Sequence, residues 1–207
     1  MADSQYLTHL IQSFQSFLQS NQLRDFEQVA GGIKTTIAGV KVVDNVRNAH
    51  FTSKIITFAS TAEKLNFNTE AYRKLENKYG KDRVLEQLVV TIDRLNNVEK
   101  TQVLAHLMHA VGQEQITWEE FKSLSFALEQ LNPLALNTDI TQTHGDTGYL
   151  ESAATPYLIA VAMVSQHTTY DTISTLGVTQ TRYALTPLGN KLVKYGIKPY
   201  QMRRKNK

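Results

Sequence analysis

Residues 181–196 read TRYALTPLGNKLVKYG, and they combine a strand, a helix start and a basic helix. The residues up to Leu185 have the Thr, Tyr and Leu content of a strand. Thr186 is a favoured N-cap residue and Pro187 suits the first helical position, so we predict that a helix begins at this pair. Gly196 is predicted to end that helix. This order is typical of the end of a winged helix, and also of the closing element of a helical fold.

The residues just before this stretch predict a hairpin. Residues 167–186, HTTYDTISTLGVTQTRYALT, are rich enough in Thr, Tyr and Ile for two short strands, with Gly177 near the turn. Residues 156–166, PYLIAVAMVSQ, are nearly all apolar and include no Lys or Arg. A helix that reads DNA bases presents polar and basic side chains to the groove. We therefore predict that this segment fills a core and that a winged shape here does not read a base sequence.

The first 131 residues carry the 3.6-residue apolar repeat of amphipathic helices. Residues 33–65 predict one long helix or two short ones. Gly80 stands where a glycine ends a helix. The pattern predicts a mainly α fold, a compact helical bundle with a small C-terminal β-hairpin plus helix that is winged-helix-like.

Two capping signals mark helix starts in the middle of the chain. Asn96 with Glu99 and Thr117 with Glu120 both have the spacing of a capping box. The lone Trp118 follows the second of these caps and is interpreted as a packing anchor.

We predict three segments along the chain. Residues 1–132 form the helical bundle, and residues 133–148, PLALNTDITQTHGDTG, form a polar, turn-rich loop or hinge. Residues 149–207 supply a C-terminal helix, the hairpin, a further helix and a basic tail.

Charge divides the chain near residue 171. Of the 22 Lys and Arg residues, eight lie in the last 36 positions, where there is no Asp or Glu. The remaining 14 stand against 19 acidic residues, so the first 171 residues carry −5 and the last 36 carry +8. Such a tail suits contact with nucleic acid or an acidic partner, or else it folds back on its own acidic body or is only solvated. The candidate contact residues are Arg182, Lys191, Lys194, Lys198, Arg203, Arg204, Lys205 and Lys207.

Composition excludes several classes of protein. The absence of cysteine excludes disulfides, thiolate zinc sites and a cysteine nucleophile, and it favours a cytoplasmic location. The first residues have no basic segment leading into an apolar run, so they do not predict a secretory signal. The longest uncharged apolar run, residues 157–164, is far shorter than the roughly 20 residues of a membrane span, so no membrane contact is expected.

Three blocks of the chain resemble a known family. They are VRNAHFTSKIITFAS, the long middle block that begins VLEQLVVTIDRLNN, and YALTPLGNKLVKY near the C-terminus. These blocks are similar to a widespread, uncharacterised family of small all-helical bacterial proteins with a closing Tyr-x-Leu-Thr-x-x-Gly element. The resemblance implies a helical fold and supplies no activity.

The middle block is also distantly similar to the tellurite-resistance TerB-like helical domains. Those domains carry acidic residues ahead of the segment that corresponds to ITWEEF. Here the positions are Gly112, Gln113, Glu114 and Gln115, with one charged residue among them. The resemblance therefore implies no metal site in this chain.

Few residues are spaced for chemistry. His106 and His109 are three apart on one predicted helix, where both rings could reach one ion, but no third or fourth ligand is visible at a helical offset. We interpret them as surface or core-edge histidines. The remaining acid–base and nucleophilic candidates are His144, Asp146, Ser165, His167 and Asp171. None of these has the spacing of a known catalytic motif.

The sequence favours a non-catalytic bacterial binding or adaptor protein that acts through protein–protein contacts. A protein partner or self-association is expected, with no cofactor, no metal and no catalytic residue. The alternative is a DNA-binding regulator that uses the basic C-terminal winged-helix-like segment and contacts non-specific nucleic acid. A metal-dependent enzyme is the third and least favoured class.

Overall fold

The computed structural model describes residues 40–65, 69–133, 136, 155–170 and 179–205. Its first five helices are α1 (Val40–Lys64), α2 (Thr69–Tyr79), α3 (Lys81–Arg94), α4 (Val98–Gly112) and α5 (Trp118–Gln130). The C-terminal part contains α6 (Thr155–Ala160), β1 (Val164–Tyr170), β2 (Thr179–Leu185), α7 (Pro187–Leu192), a π-helical turn (Val193–Ile197) and α8 (Lys198–Lys205). The fold is mainly α with a C-terminal hairpin followed by helix, as the sequence predicts.

The chain divides into two compact units, residues 1–105 and 106–207, and the boundary falls within α4. The sequence prediction instead divides the chain at residues 132 and 148. Of the predicted loop, residues 134, 135 and 137–148 lie outside the described residues, so the loop stays a prediction.

The first unit contains one continuous helix where the sequence left two arrangements open. Val40–Lys64 forms a single 25-residue helix, α1, which packs against α3. Gly80 separates α2 from α3 with a φ of 92°, and its N–H donates to the Glu76 carbonyl at 2.8 Å. A positive φ is open to glycine at little cost, so the glycine predicted to end α2 is confirmed.

A buried lysine joins α1 to the end of α3. Lys54 is 3% exposed, and its Nζ donates to the Asp93 carbonyl at 2.7 Å and to the Leu95 carbonyl at 2.9 Å. The last carbonyls of a helix have no partner within the helix, and they carry the negative end of its dipole. The ammonium therefore satisfies two carbonyl acceptors at the place where a positive charge is most stable.

The start of α4 differs from the prediction by one residue. The Glu99 N–H donates to Asn97 Oδ1 at 2.6 Å, so Asn97 and not Asn96 supplies the capping oxygen. Both residues suit a cap chemically, and the helix begins at Val98. Because the two asparagines are adjacent and chemically equivalent, the sequence alone does not determine which of them caps the helix.

In the second unit, α5 begins with the predicted capping box. The Glu120 N–H donates to Thr117 Oγ1 at 3.2 Å, and the Thr117 N–H donates to Glu120 Oε2 at 2.9 Å. Ile116 and Phe121, at the positions of a hydrophobic staple, are both buried. Trp118 is 5% exposed and stacks on Phe121 with ring centroids 5.0 Å apart, so the interpretation of Trp118 as a packing anchor is confirmed.

The prediction that Gly196 ends the last helix is wrong. Gly196 is buried within the π-helical turn, and helix continues through α8 to Lys205. Gly80 is the only glycine with a positive φ among the described residues, so Gly196 keeps a helical conformation. Glycine inside a helix costs about 1 kcal/mol relative to alanine. Burial of Val193, Ile197 and Tyr200 along the same helical run offsets that cost.

Loss of the Thr117 cap should lower stability. Thr117→Ala removes the acceptor for the Glu120 N–H, and we expect the free energy of unfolding to fall by about 1 kcal/mol. Scanning calorimetry measures the change. Ser123→Ala is the matched control, because Ser123 Oγ donates to the Glu119 carbonyl within the same helix and caps nothing. Equal losses in the two variants would contradict the role of Thr117.

Candidate interaction surface

Thr186 joins the last helix to the chain before the hairpin. Its Oγ1 accepts a hydrogen bond from the Gly189 N–H at 3.0 Å, which confirms the predicted N-cap with Pro187 in the first turn. The same hydroxyl donates to the Ala162 carbonyl at 2.6 Å, and the Thr186 N–H donates to the Met163 carbonyl at 2.9 Å. The cap therefore also fixes where α7 begins relative to the residues that lead into β1.

Gly189 allows this close approach. A Cβ at residue 189 would stand 2.0 Å from the Met163 carbonyl oxygen. No side chain fits in that space, because the obstacle is backbone that is itself bonded to Thr186. The Thr-x-x-Gly pattern in this sequence thus has a physical basis: the threonine binds a backbone segment and the glycine makes room for it.

The hairpin pairs β1 with β2 in antiparallel register from Val164 opposite Leu185 to Tyr170 opposite Thr179. His167 and Arg182 occupy directly opposite backbone positions. Ser165 Oγ donates to the Ala184 carbonyl at 3.2 Å, which gives this hydroxyl a structural role.

Lys191 is engaged within its own unit. Its Nζ pairs with Glu120 Oε1, while Glu120 Oε2 accepts from the Thr117 N–H. The hydrogen bond from Lys191, followed by that from Thr117, lowers the pKa of Glu120. One carboxylate thus links the start of α5 to α7. For this cation the structure shows a pairing with the chain's own acidic residues.

The other predicted contact residues fall into distinct environments. Lys194 and Lys198 are exposed, and no described carboxylate pairs with either of them. Arg204 is also exposed, whereas Arg203 is half-buried. Arg182 lies in β2 and Lys205 ends α8, and Lys207 lies outside the described residues. The exposed lysines of this set therefore lie in the π-helical turn and at the start of α8.

The helix before the hairpin is less buried than the sequence predicts. In α6 and the residues after it, Leu158, Met163 and Val164 are buried, as expected of a core segment. Tyr157 is nevertheless 45% exposed and Ile159 37% exposed. Helix α6 buries the face that carries Thr155 and Leu158, and it presents an aromatic and an aliphatic side chain to solvent.

His106 and His109 lie close to Arg203. Burial, then the charge of Arg203 and then that of His109, lowers the pKa of His106 to about 4. Burial followed by Arg203 also lowers the pKa of His109. The two rings are therefore neutral near pH 7. Among the described residues there is no group of three or more His, Asp or Glu side chains that could hold a metal ion.

The catalytic candidates are not brought together in the described part of the chain. His144, Asp146 and Asp171 lie outside it, and only the backbone position of His167 is given. The sequence did not identify the exposed Tyr157 and Ile159 as surface residues, because their apolar character indicates burial.

No family model, curated protein or solved structure matches the chain. The resemblance of the three sequence blocks to a family of small helical bacterial proteins stays a prediction. No helix in the described ranges is long and apolar enough to cross a membrane.

Replacing Gly189 should disrupt the C-terminal element. In Gly189→Ala the new methyl group would collide with the Met163 carbonyl, so we expect a loss of about 2 kcal/mol or more in the free energy of unfolding. Urea denaturation followed by circular dichroism measures it. Lys198→Ala, at an exposed position of the same helical run, is the control and should change stability by less than about 0.5 kcal/mol. A neutral Gly189→Ala would mean that this packing does not form.

Stability should fall in mild acid because His106 resists protonation when folded. Its pKa is lowered to about 4, whereas an unfolded histidine titrates near 6.5, so the unfolded chain binds more protons between these values. The stability that comes from keeping His106 neutral is fully present above pH 6.5. It is lost as the pH falls towards 4, and the free energy of unfolding then decreases by an amount on the order of 3 kcal/mol.

Urea unfolding at pH 7.0 and 4.5 tests this effect of pH. Carboxylate titration contributes equally in every variant, so the informative quantity is the difference between variants. His106→Gln should reduce the loss on acidification, whereas Ser123→Ala, which replaces a side chain that does not titrate in this range, should leave the loss unchanged. An undiminished loss in His106→Gln would contradict the assignment.

Proposed function

We propose that this chain is a non-catalytic binding protein that acts through protein–protein contacts made by its C-terminal winged element, α6 to α8. The observation that carries the proposal is the exposure of Tyr157 and Ile159 on α6. In a DNA-binding protein of this shape, the helix before the hairpin would be the one that contacts the groove. Here that helix offers apolar surface, which suits a protein partner.

The composition of α6 argues against base recognition. Its residues TPYLIA include no charged side chain and no amide, so it has no group for the bidentate contacts that distinguish bases. Aromatic and aliphatic side chains at a surface are instead typical of the centre of protein interfaces. With two such residues at its centre, the interface would have a small area, which is consistent with an adaptor protein.

A photocrosslinking experiment tests the proposal. p-Benzoylphenylalanine replaces Tyr157 in the full chain, which is expressed in cells of the organism that encodes it. Illumination should produce a discrete protein adduct, and the additional change Ile159→Asp should abolish it by placing a charge in the interface. The control position is Gln130, an exposed residue of α5.

The outcomes separate the two classes of partner. A protein adduct at residue 157 that is absent at residue 130 supports the proposal. Adducts of equal yield at both positions, no adduct at residue 157, or an adduct that nuclease removes would each contradict it.

The alternative function is DNA binding through phosphate contacts. It is favoured by one observation: Lys194, Lys198 and Arg204 are exposed in a 36-residue segment that has no acidic residue. Binding of a labelled 20-base-pair duplex would then be weak, indifferent to sequence and steeply dependent on salt. About three neutralised phosphates give a slope near −3 in a plot of log K against log salt concentration. A flat salt dependence would exclude this function.

A further inference from the structure

The last helical run of the chain presents an exposed stripe, which we define as Lys194, Lys198 and Met202. The three residues are four apart, and residues at this spacing share a helix face. Lys194 and Lys198 are exposed, and Met202 is 54% exposed.

The helix that carries the stripe is held from its other side. Ile197 and Tyr200 are buried, and the Gln201 Nε2 donates to the Leu136 carbonyl at 2.8 Å. The start of the run is fixed by the Thr186 cap. The stripe is therefore presented by an anchored helix, and a partner would bind it without ordering the backbone first.

The stripe is positively charged and has no internal counterion among the described residues. Lys191, one turn earlier, is neutralised by Glu120, but no described carboxylate lies within ion-pair distance of Lys194 or Lys198. Lys194 Nζ lies 4.9 Å from the centroid of the Tyr195 ring, an attraction that leaves its charge available to a partner. Charge complementarity therefore calls for carboxylates or phosphates opposite the two lysines.

Met202 distinguishes between these two chemistries. An exposed methionine gains from contact with an apolar side chain, and flexible methionines are over-used at binding surfaces. A phosphate group offers Met202 no apolar contact, whereas an amphipathic protein helix offers carboxylates and an aliphatic side chain together.

We propose that the stripe binds an acidic amphipathic helix of a partner protein, with glutamate or aspartate opposite Lys194 and Lys198 and an aliphatic side chain covering Met202. The inference rests on the proposed protein-binding function and names the chemical class of one partner surface. It uses residues separate from Tyr157 and Ile159.

The probe is a synthetic 18-residue peptide with leucine at every third or fourth position, glutamate beside the leucines on the same face and alanine elsewhere, because a wholly acidic polar face would destabilise the helix by charge repulsion. Fluorescence anisotropy of the labelled peptide should show saturable binding to the full chain in 50 mM KCl and weaker binding in 300 mM KCl. The double variant Lys194→Gln, Lys198→Gln should weaken binding roughly fivefold. Met202→Gln, which keeps the length of the side chain but makes it polar, should weaken it roughly threefold.

Lys78→Gln is a closely matched control. Lys78 is an exposed helical lysine followed by a tyrosine, with its Nζ 5.4 Å from the Tyr79 ring centroid, as Lys194 is followed by Tyr195. It lies in the other unit, and its replacement should leave peptide binding unchanged. A peptide of the same composition in scrambled, non-amphipathic order should bind at least about fivefold more weakly.

Several results would overturn the inference. These are no saturable binding up to 500 µM peptide, equal binding of the scrambled peptide, an effect of Lys78→Gln as large as that of the double variant, or no effect of Met202→Gln. Tighter binding of a 20-base-pair duplex than of the peptide would assign the lysines to nucleic acid and would also overturn it. Failure here together with a protein adduct at residue 157 would remove the acidic helix as partner and leave the proposed function standing.

Discussion

The backbone carbonyl of Met163 occupies the space that a side chain at residue 189 would need, and it accepts a hydrogen bond from the Thr186 N–H at the same time. The direction of the last helical run depends on this contact, because α7 begins at the residue that makes it. The contact also sets the distance between the end of β2 and the residues that precede β1, where Val164 pairs with Leu185. A hairpin of two strands is only marginally stable alone, so its attachment at the base by these hydrogen bonds stabilises it.

A second shared group ties this element to the rest of its unit. Glu120 accepts from the Thr117 N–H with one oxygen and from Lys191 with the other, so the residue that completes the start of α5 also contacts α7. The bond between Glu120 and Thr117 is local, whereas the bond between Glu120 and Lys191 joins residues that are 71 positions apart in the sequence. At least one cation of the basic C-terminal segment, Lys191, is therefore paired with an acidic residue from the acidic part of the chain. Lys194 and Lys198 differ from Lys191 because they lie beyond the reach of the described carboxylates.

Most features that arise within four residues could be predicted from the sequence, with the cap of α4 and the helical conformation of Gly196 as exceptions, whereas the contacts with distant partners described here could not. The caps at Thr117 and Thr186 and the glycine at residue 80 follow from local hydrogen bonding and backbone freedom. Lys54 binds the carbonyls of Asp93 and Leu95, which lie 39 and 41 positions further along the chain. No local pattern in the sequence predicts these hydrogen bonds. The candidate surface was only partly predictable for the same reason. Composition indicated the basic segment, but exposure of Tyr157 and pairing of Lys191 depend on the folded neighbours.

The π-helical turn between Val193 and Ile197 has a consequence for the length of the chain. Such a turn holds one residue more than an α-helical turn while the helix on either side stays nearly continuous. Deleting a residue from a regular helix rotates everything after it by about 100°. Deleting one within this turn would instead restore regular α-helical geometry, and Tyr200 would keep its buried orientation. Within this last helical run, the loss of a single residue is therefore tolerated more easily at this turn than in the regular helix on either side of it.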